Sequence, residues 1–264
     1  MRITTLVTGH GLSEKNRYCS STMIEVEGFP YLVDVGAPVD YLFVNQGWKM
    51  SDLRAVLLTH MHGDHVALLP PLVENLCSLS GYLKKREGVE ALPPCSVVFP
   101  TGEGLHGFLE WMRVLGNPMS GDPTHPFAKG AQVSVAVADE AEVYRDEKVR
   151  FCGVRTAHMK DQSPSFAYVM EAEGKRVLFT GDVSRDLHDL ADIFPKYEFD
   201  AVVCEFTHFQ PEAAMAVLCT AKTGRMIFNH ICGYEGERPA WIEAHKEEFP
   251  FPVVAATDGA VFEI

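Results

Sequence analysis

Four residues of types that bind metals crowd into six positions: His60, His62, Asp64 and His65. Imidazole nitrogens and a carboxylate oxygen suit zinc and neighbouring first-row metals. Four ligands this close cannot all reach one ion in relaxed geometry. His60 and His62 can point the same way on an extended turn, while Asp64 and His65 point elsewhere, so the spacing suggests two metal sites side by side. The apolar run from Ala55 to Leu58, just before them, reads as a buried strand that delivers the cluster. The bland alternative is a polar loop that is rich in His by chance, and the density of the signal directly after a strand argues against it.

The same arrangement recurs. The apolar run 149–154 leads to Thr156-Ala157-His158, and 176–179 leads to Thr180-Gly181-Asp182. Run 201–204 ends in Glu205-Phe206-Thr207-His208, and 226–228 ends in Asn229-His230. Ligands gather at the carboxyl ends of strands in layered α/β folds, so these units point to one composite site. Further strands are expected at 2–8, 22–27, 31–35, 97–99, 133–137, 141–144 and, last, 253–256, with helices at 38–46, 103–115, 212–221 and 238–249. Leu68, Leu69, Leu72, Val73, Leu76 and Leu79 have helical spacing, with Pro70-Pro71 expected to break or kink the start. Residues 116–130 read as a long loop that shapes access to a pocket, with His106 and His125 in solvent or lid roles. Asp34 either orients a ligand His by hydrogen bond or caps a turn. His10, between two glycines, either approaches the site or is exposed. Lys160 and Arg185, just after two ligands, either hold a phosphate oxygen or are solvated charges.

The 264 residues are 47% apolar, enough for a sizeable core, and no linker divides 1–264, which reads as a single domain. The formal charge of −13 disfavours a nucleic-acid partner, which normally meets a basic stripe. No run of 18 apolar residues marks a membrane span, and the N-terminus lacks a long signal-peptide core. The seven cysteines are scattered and include no Cys-x-x-Cys pair, as expected of reduced thiols in a cytoplasmic protein. Oligomeric state is not legible.

These residues resemble the metallo-β-lactamase superfamily. His60-Met61-His62-Gly63-Asp64-His65 matches its His-x-His-x-Asp-His motif, and His158, Asp182 and His230 follow in the family's order, over about residues 3–262. The resemblance implies an α/β fold, the αβ/βα four-layer sandwich, with the site at one edge of the sheets. It implies that His60, His62 and His158 hold one metal, that Asp64, His65 and His230 hold a second, and that Asp182 bridges them. Two divalent ions, zinc with manganese or iron as alternatives, would then generate hydroxide near neutral pH. Within the superfamily the chain looks most like the phosphodiesterase branch of tRNA 3′-processing endonucleases and small cyclic phosphodiesterases. Glu205-Phe206-Thr207 resembles that branch's Glu-x-Thr, and Ala256-Thr257-Asp258-Gly259 its terminal Asp-Gly strand. The branch places a His after Glu-x-Thr as a proton donor, which maps to His208; the alternative is a structural His. Asp64, Glu205 and His208 are the candidate catalytic residues.

The expected function is therefore hydrolysis of a small, anionic phosphodiester. The alternatives are tRNA 3′ processing and hydrolysis of a carbonyl ester, thioester or lactone by the same hydroxide. From a different class comes a metal-binding or partner-binding module without catalysis. No long arm for gripping tRNA is evident, and the segment between Glu205 and His230 is short. With the net charge, this leads to the expectation that tRNA is a poor substrate.

Overall fold

The computed structural model describes residues 1–12, 14–15, 17–77, 80–89, 95–116, 131–135, 140–160, 163–233 and 236–264. Among them, two seven-stranded sheets are stacked face to face. The first contains β1 (Arg2–Val7), β2 (Ser21–Val26), β3 (Phe29–Val33), β4 (Ala55–Leu57), β5 (Cys95–Phe99), β6 (Ala131–Val135) and β14 (Ala260–Glu263), in the order β14-β1-β2-β3-β4-β5-β6. The second contains β7 (Ala141–Arg145), β8 (Arg150–Thr156), β9 (Ser165–Ala172), β10 (Lys175–Phe179), β11 (Ala201–Phe206), β12 (Met226–Ile231) and β13 (Val253–Ala255), in the order β13-β12-β11-β10-β9-β8-β7. In each sheet four strands pair antiparallel and the remaining pairings are parallel. Parallel neighbours need crossovers, and helices supply them.

Alternation along the strands sorts side chains into layers. On β4, Ala55 and Leu57 face the other sheet, while Val56 and the following Leu58 face outward. On β11, Ala201 and Val203 face inward and Val202 and Cys204 outward. The inward sets meet around Tyr31, Phe166 and Tyr168. The outward face of the first sheet is covered by α1 (Val39–Asn45), α3 (Leu69–Cys77) and α5 (Gly102–Val114). That of the second is covered by α6 (His188–Ile193), α7 (Pro211–Leu218) and α8 (Glu237–His245). The result is the helix–sheet–sheet–helix sandwich expected. None of the described helices is long and apolar enough to cross a membrane.

Several boundaries differ from expectation, each for a physical reason. Pro70-Pro71 does not break the helix; both lie in the first turn of α3, where a missing N–H has no intrahelical partner to lose. Strand β9 was not anticipated because its run, Ser-Phe-Ala-Tyr-Val-Met-Glu-Ala, is buried on both faces and shows no alternation. Two short helices, α4 (Ser80–Glu87) and α6, were also missed. A four-residue helix, α2 (Gly63–Val66), starts inside the His-rich motif itself. Residues 117–130 with His125, Leu79, Pro93-Pro94 and the end of the 133–137 strand lie outside the described residues.

Candidate metal centre

At one end of the sandwich the carboxyl ends of the strands converge, and main-chain bonds tie the sheets together there. Ile231 N–H donates to Thr8 O at 2.8 Å, and Phe166 N–H donates to Thr59 O at 2.9 Å. The Tyr168 hydroxyl donates to Leu58 O at 2.7 Å. The loop after β4 and helix α2 bring His60, His62, Asp64 and His65; β8 leads to His158, β10 to Asp182, β11 to Glu205 and His208, and β12 contains His230. Three backbone features aim these side chains. His230 is the extra residue of a bulge, since Glu205 pairs with Asn229 and Phe206 with Ile231, and its φ is 47°. Asp34 has φ 61°, a conformation that Asp tolerates better than most residues. Gly181, φ 55°, lets the backbone before Asp182 pass Thr59, whose Cβ would lie 2.8 Å from an added Cβ.

The expected ligands sort into two groups. His60 Nε2 lies 3.0 Å from His62 Nδ1, and His158 Nε2 lies 3.3 Å from the same atom. His65 Nε2 is 3.2 Å from His230 Nε2, which is 3.3 Å from Asp64 Oδ2. Asp182 Oδ2 stands between the groups, 3.5 Å from His60, 3.6 Å from His158 and 3.4 Å from His65. Ligands about 2.0–2.1 Å from a tetrahedral zinc ion are about 3.3 Å from one another, so these separations fit. Two buried atoms, Asp182 Oδ1 and His230 Nδ1, have no hydrogen-bond partner. Lone pairs of facing imidazoles repel unless a cation or proton lies between them, so the donor set also fits divalent metal ions.

Charge in the site is organised around buried carboxylates. Burial opposes ionisation of Asp182, but His230, His65 and His60 hold it well below the usual carboxylate range. Asp64 is likewise penalised by burial and held low by the His230 hydrogen bond and the His65 and His230 charges. Burial pushes His60 and His158 down, favouring the neutral rings that metals require. His65 is fully buried, yet Asp182 and Asp34 raise it. Asp34 is an orienting carboxylate: its Oδ2 accepts from His65 Nδ1 at 2.7 Å, and its Oδ1 accepts from Thr59 N–H at 2.8 Å.

Glu205 does not reach the cavity beside the site. Its Oε1 accepts from Val183 N–H, and its Oε2 accepts from Thr207 N–H, His208 N–H and His208 Nδ1, the last at 2.8 Å. A carboxylate so engaged holds the turn after β11 and the ring of His208. Burial lowers His208, but the Glu205 hydrogen bond and charge, with Asp182, leave it raised. The His208 ring centroid is 4.5 Å from that of His158. His62, His158, Lys160, Arg185, His188 and His208 are on the wall of a cavity of ≈ 830 Å³.

His10 is buried and lies edge-on to His230, with centroids 6.5 Å apart. Its Nε2 is 2.7 Å from Glu14 Oε1, and Cys232 joins that pair within ligand reach. Sequence reasoning gave neither Glu14 nor Cys232 a place. Burial pushes the Cys232 thiol up, away from the thiolate a metal requires. His106 is exposed.

Comparison with known proteins follows the same residues. A family model described as a beta-lactamase superfamily domain matches residues 40–231, and one described as anti-Pycsar protein Apyc1 matches residues 1–77. Ribonuclease Z of Synechococcus sp. (strain WH7803) is 28% identical over 191 residues, which are 71% of this chain and 53% of that protein. The chain thus spans about half the length of the curated relatives it matches. The metallo-β-lactamase fold protein YhfI of Bacillus subtilis superposes with a TM-score of 0.72 at 16% identity, covering 100% of this chain and 99% of that one. The short form of human tRNase Z gives a TM-score of 0.69 at 20% identity, with 100% and 99% covered. These names overturn the expectation against a nucleic-acid partner. A net charge of −13 is a sum over the whole surface, whereas a phosphate entering the site meets the local field.

Proposed function

This chain belongs to the beta-lactamase superfamily, and we propose that, as one domain over 1–264, it is a metal-dependent hydrolase that cleaves a phosphodiester. The observation that carries the reading is the position of Asp182 between two ligand groups, with the His208–Glu205 pair beside them. His60, His62, His158 and Asp182 would hold one ion and Asp64, His65 and His230 the other, with Asp182 shared between them at 3.4 Å from His65 and 3.6 Å from His230. A donor set dominated by imidazole favours zinc over manganese or iron. Bound divalent cations would supply hydroxide near neutral pH and balance charge building on phosphate oxygens.

The chain's own residues do the rest. His208 is held through Nδ1 by Glu205, which leaves Nε2 to give a proton to a departing oxygen. Asp34 fixes the His65 ring so that Nε2 faces the second ligand group. A second reading, cleavage of an RNA phosphodiester as in tRNA 3′ processing, is favoured by the ribonuclease Z relatives.

The test is a panel on the metal-replete protein: bis(p-nitrophenyl) phosphate, an alkyl nitrophenyl diester, a thioester, a lactone and a tRNA precursor. Turnover of the diesters with little on the thioester and lactone is expected, and the reverse order would sink the reading. Cleavage of the precursor at a single position would select the RNA reading. His208→Ala should keep its metal and lose about a hundredfold or more on an alkyl leaving group, but little on nitrophenolate. Equal losses on both would remove the proton-donor role.

A further inference from the structure

We propose that Lys160 and Arg185 form a second anion position beside the metal centre, one that binds a phosphate other than the one being cleaved. The proposal rests on the phosphodiester reading above. Both residues are exposed on the wall of the ≈ 830 Å³ cavity that also borders His62, His158 and His208. A volume of that order suits a nucleotide-sized group. Lys160 follows His158 by two positions and Arg185 follows Asp182 by three, so each is anchored to a ligand-bearing turn.

Among the described residues, no carboxylate forms an ion pair with Lys160 or Arg185. Of the described carboxylates nearby, Asp186, which also borders the cavity, and Asp189 already have partners. Asp186 Oδ1 is 2.7 Å from His188 Nδ1. Asp189 Oδ1 accepts from Ala157 N–H at 3.0 Å and its Oδ2 from Ser184 N–H at 2.6 Å. Asp189 thereby ties the His158 turn to the Asp182 turn and fixes the bases of both cations. Lys160 also has φ 51°, a left-handed conformation uncommon for a residue with a long side chain. Strain of this kind is held where surrounding structure over-determines it, often at ligand sites.

Charge contrast indicates which flank takes the phosphate. On a chain of net charge −13, two exposed cations against one described carboxylate, Asp186, on the wall of this cavity focus anions toward it. The cavity on the other flank, ≈ 400 Å³ and bordered by Asp64, contains Glu14 as well as Arg17. The substrate class that follows is a phosphodiester with an additional phosphate on one arm, as in a phosphorylated nucleotide or a short oligonucleotide.

Binding tests the position independently of turnover. The metal-loaded protein is titrated calorimetrically with adenosine 3′,5′-bisphosphate, 3′-monophosphate and 5′-monophosphate. The bisphosphate should bind about tenfold or more tightly than either monophosphate, the scale of charge-assisted contacts at a partly exposed rim. In Lys160→Gln/Arg185→Gln the ratio should collapse to about one, whereas Lys222→Gln, an exposed cation not on this cavity, should keep it. The preference should also weaken as salt rises, because the cations are exposed. No preference for the bisphosphate, or a preference that survives the double substitution, overturns the proposal. In a parallel assay, the dinucleotide ApA is compared with its terminally phosphorylated forms. Failure to cleave any diester, with the binding preference intact and lost in the double variant, removes the phosphodiester reading and leaves the anion position standing. With the bisphosphate preference present, selective cleavage of the phosphorylated dinucleotide over ApA assigns the site to an oligonucleotide source, and equal cleavage of the two assigns it to a mononucleotide.

Discussion

Asp34→Asn tests how the second ligand group is held. The substitution preserves shape, and Asn is among the residues best suited to the left-handed backbone at this position, φ 61°. What changes is the hydrogen-bond logic. If the amide oxygen stays on Thr59 N–H, the amide nitrogen faces His65 Nδ1, now 2.7 Å from a carboxylate oxygen. His65 must then accept through Nδ1 and carry its proton on Nε2, where the lone pair is needed 3.2 Å from His230 Nε2. If the amide flips, its N–H groups oppose Thr59 N–H, and a buried donor loses its partner, a cost of about 1–3 kcal/mol. Loss of an orienting partner typically weakens metal affinity about 10–100-fold, or about 1.4–2.7 kcal/mol. Competition with a chromophoric chelator should therefore show one metal equivalent weakened on this scale, and the other, held by His60, His62 and His158, unchanged. Two unchanged equivalents, with unaltered melting, would show that Asp34 does not set the ring of His65.

Two further outcomes follow from packing and titration outside the ligands. In Gly36→Ala the new Cβ would meet Asp64 O at 1.7 Å, whereas at Gly63, inside the motif, an added Cβ meets nothing within 4 Å. Gly36→Ala should cost about 3 kcal/mol or more in a urea melt and reduce bound metal, and Gly63→Ala should cost far less; the opposite ranking would refute the steric argument. At Asp146, burial opposes ionisation, but Lys148 N–H, the Tyr31 hydroxyl, Val149 N–H and the Tyr144 hydroxyl hold the carboxyl below its ordinary range. Its stabilisation is present above the unfolded pKa near 3.8 and is lost as pH falls through the lower folded value. Asp146→Asn should therefore destabilise the metal-free protein at pH 6 and progressively less toward pH 3; a gap that does not narrow would exclude this linkage.

The seven expected ligand positions, which the fold brings together, could be named in the sequence because they follow apolar runs and the His-x-His-x-Asp-His spacing is dense. What remained hidden has specific causes. Cys232 meets His10 and Glu14 only through the long-range approach of the β1 and β12 ends, with Glu14 Oε1 accepting from Gly233 N–H at 2.9 Å; Glu14 itself is only four positions from His10, in a loop whose path no periodicity shows. Asp34 was read as either orienting or capping, because its partner His65 is distant in sequence. Glu205 stands out from its motif, but the backbone N–H groups that engage its oxygens are displayed by no residue pattern. The expectation against nucleic acid failed because a net charge contains no spatial information.

The pairing of β14 with β1, Arg2 opposite Glu263, has a consequence for the order of synthesis. A ribosome adding about 5–20 residues per second needs on the order of ten to fifty seconds to travel from one to the other. Throughout that interval β1 has an open flank, and Thr8 lacks the Asp258 carboxylate that accepts from its N–H and hydroxyl. Unpaired edges of this kind are templates for other chains. The half of the molecule translated first is thus the half completed last. His65, which emerges early, waits for His230, 165 positions later, so the candidate ligands can come together only once the chain has been made past β12.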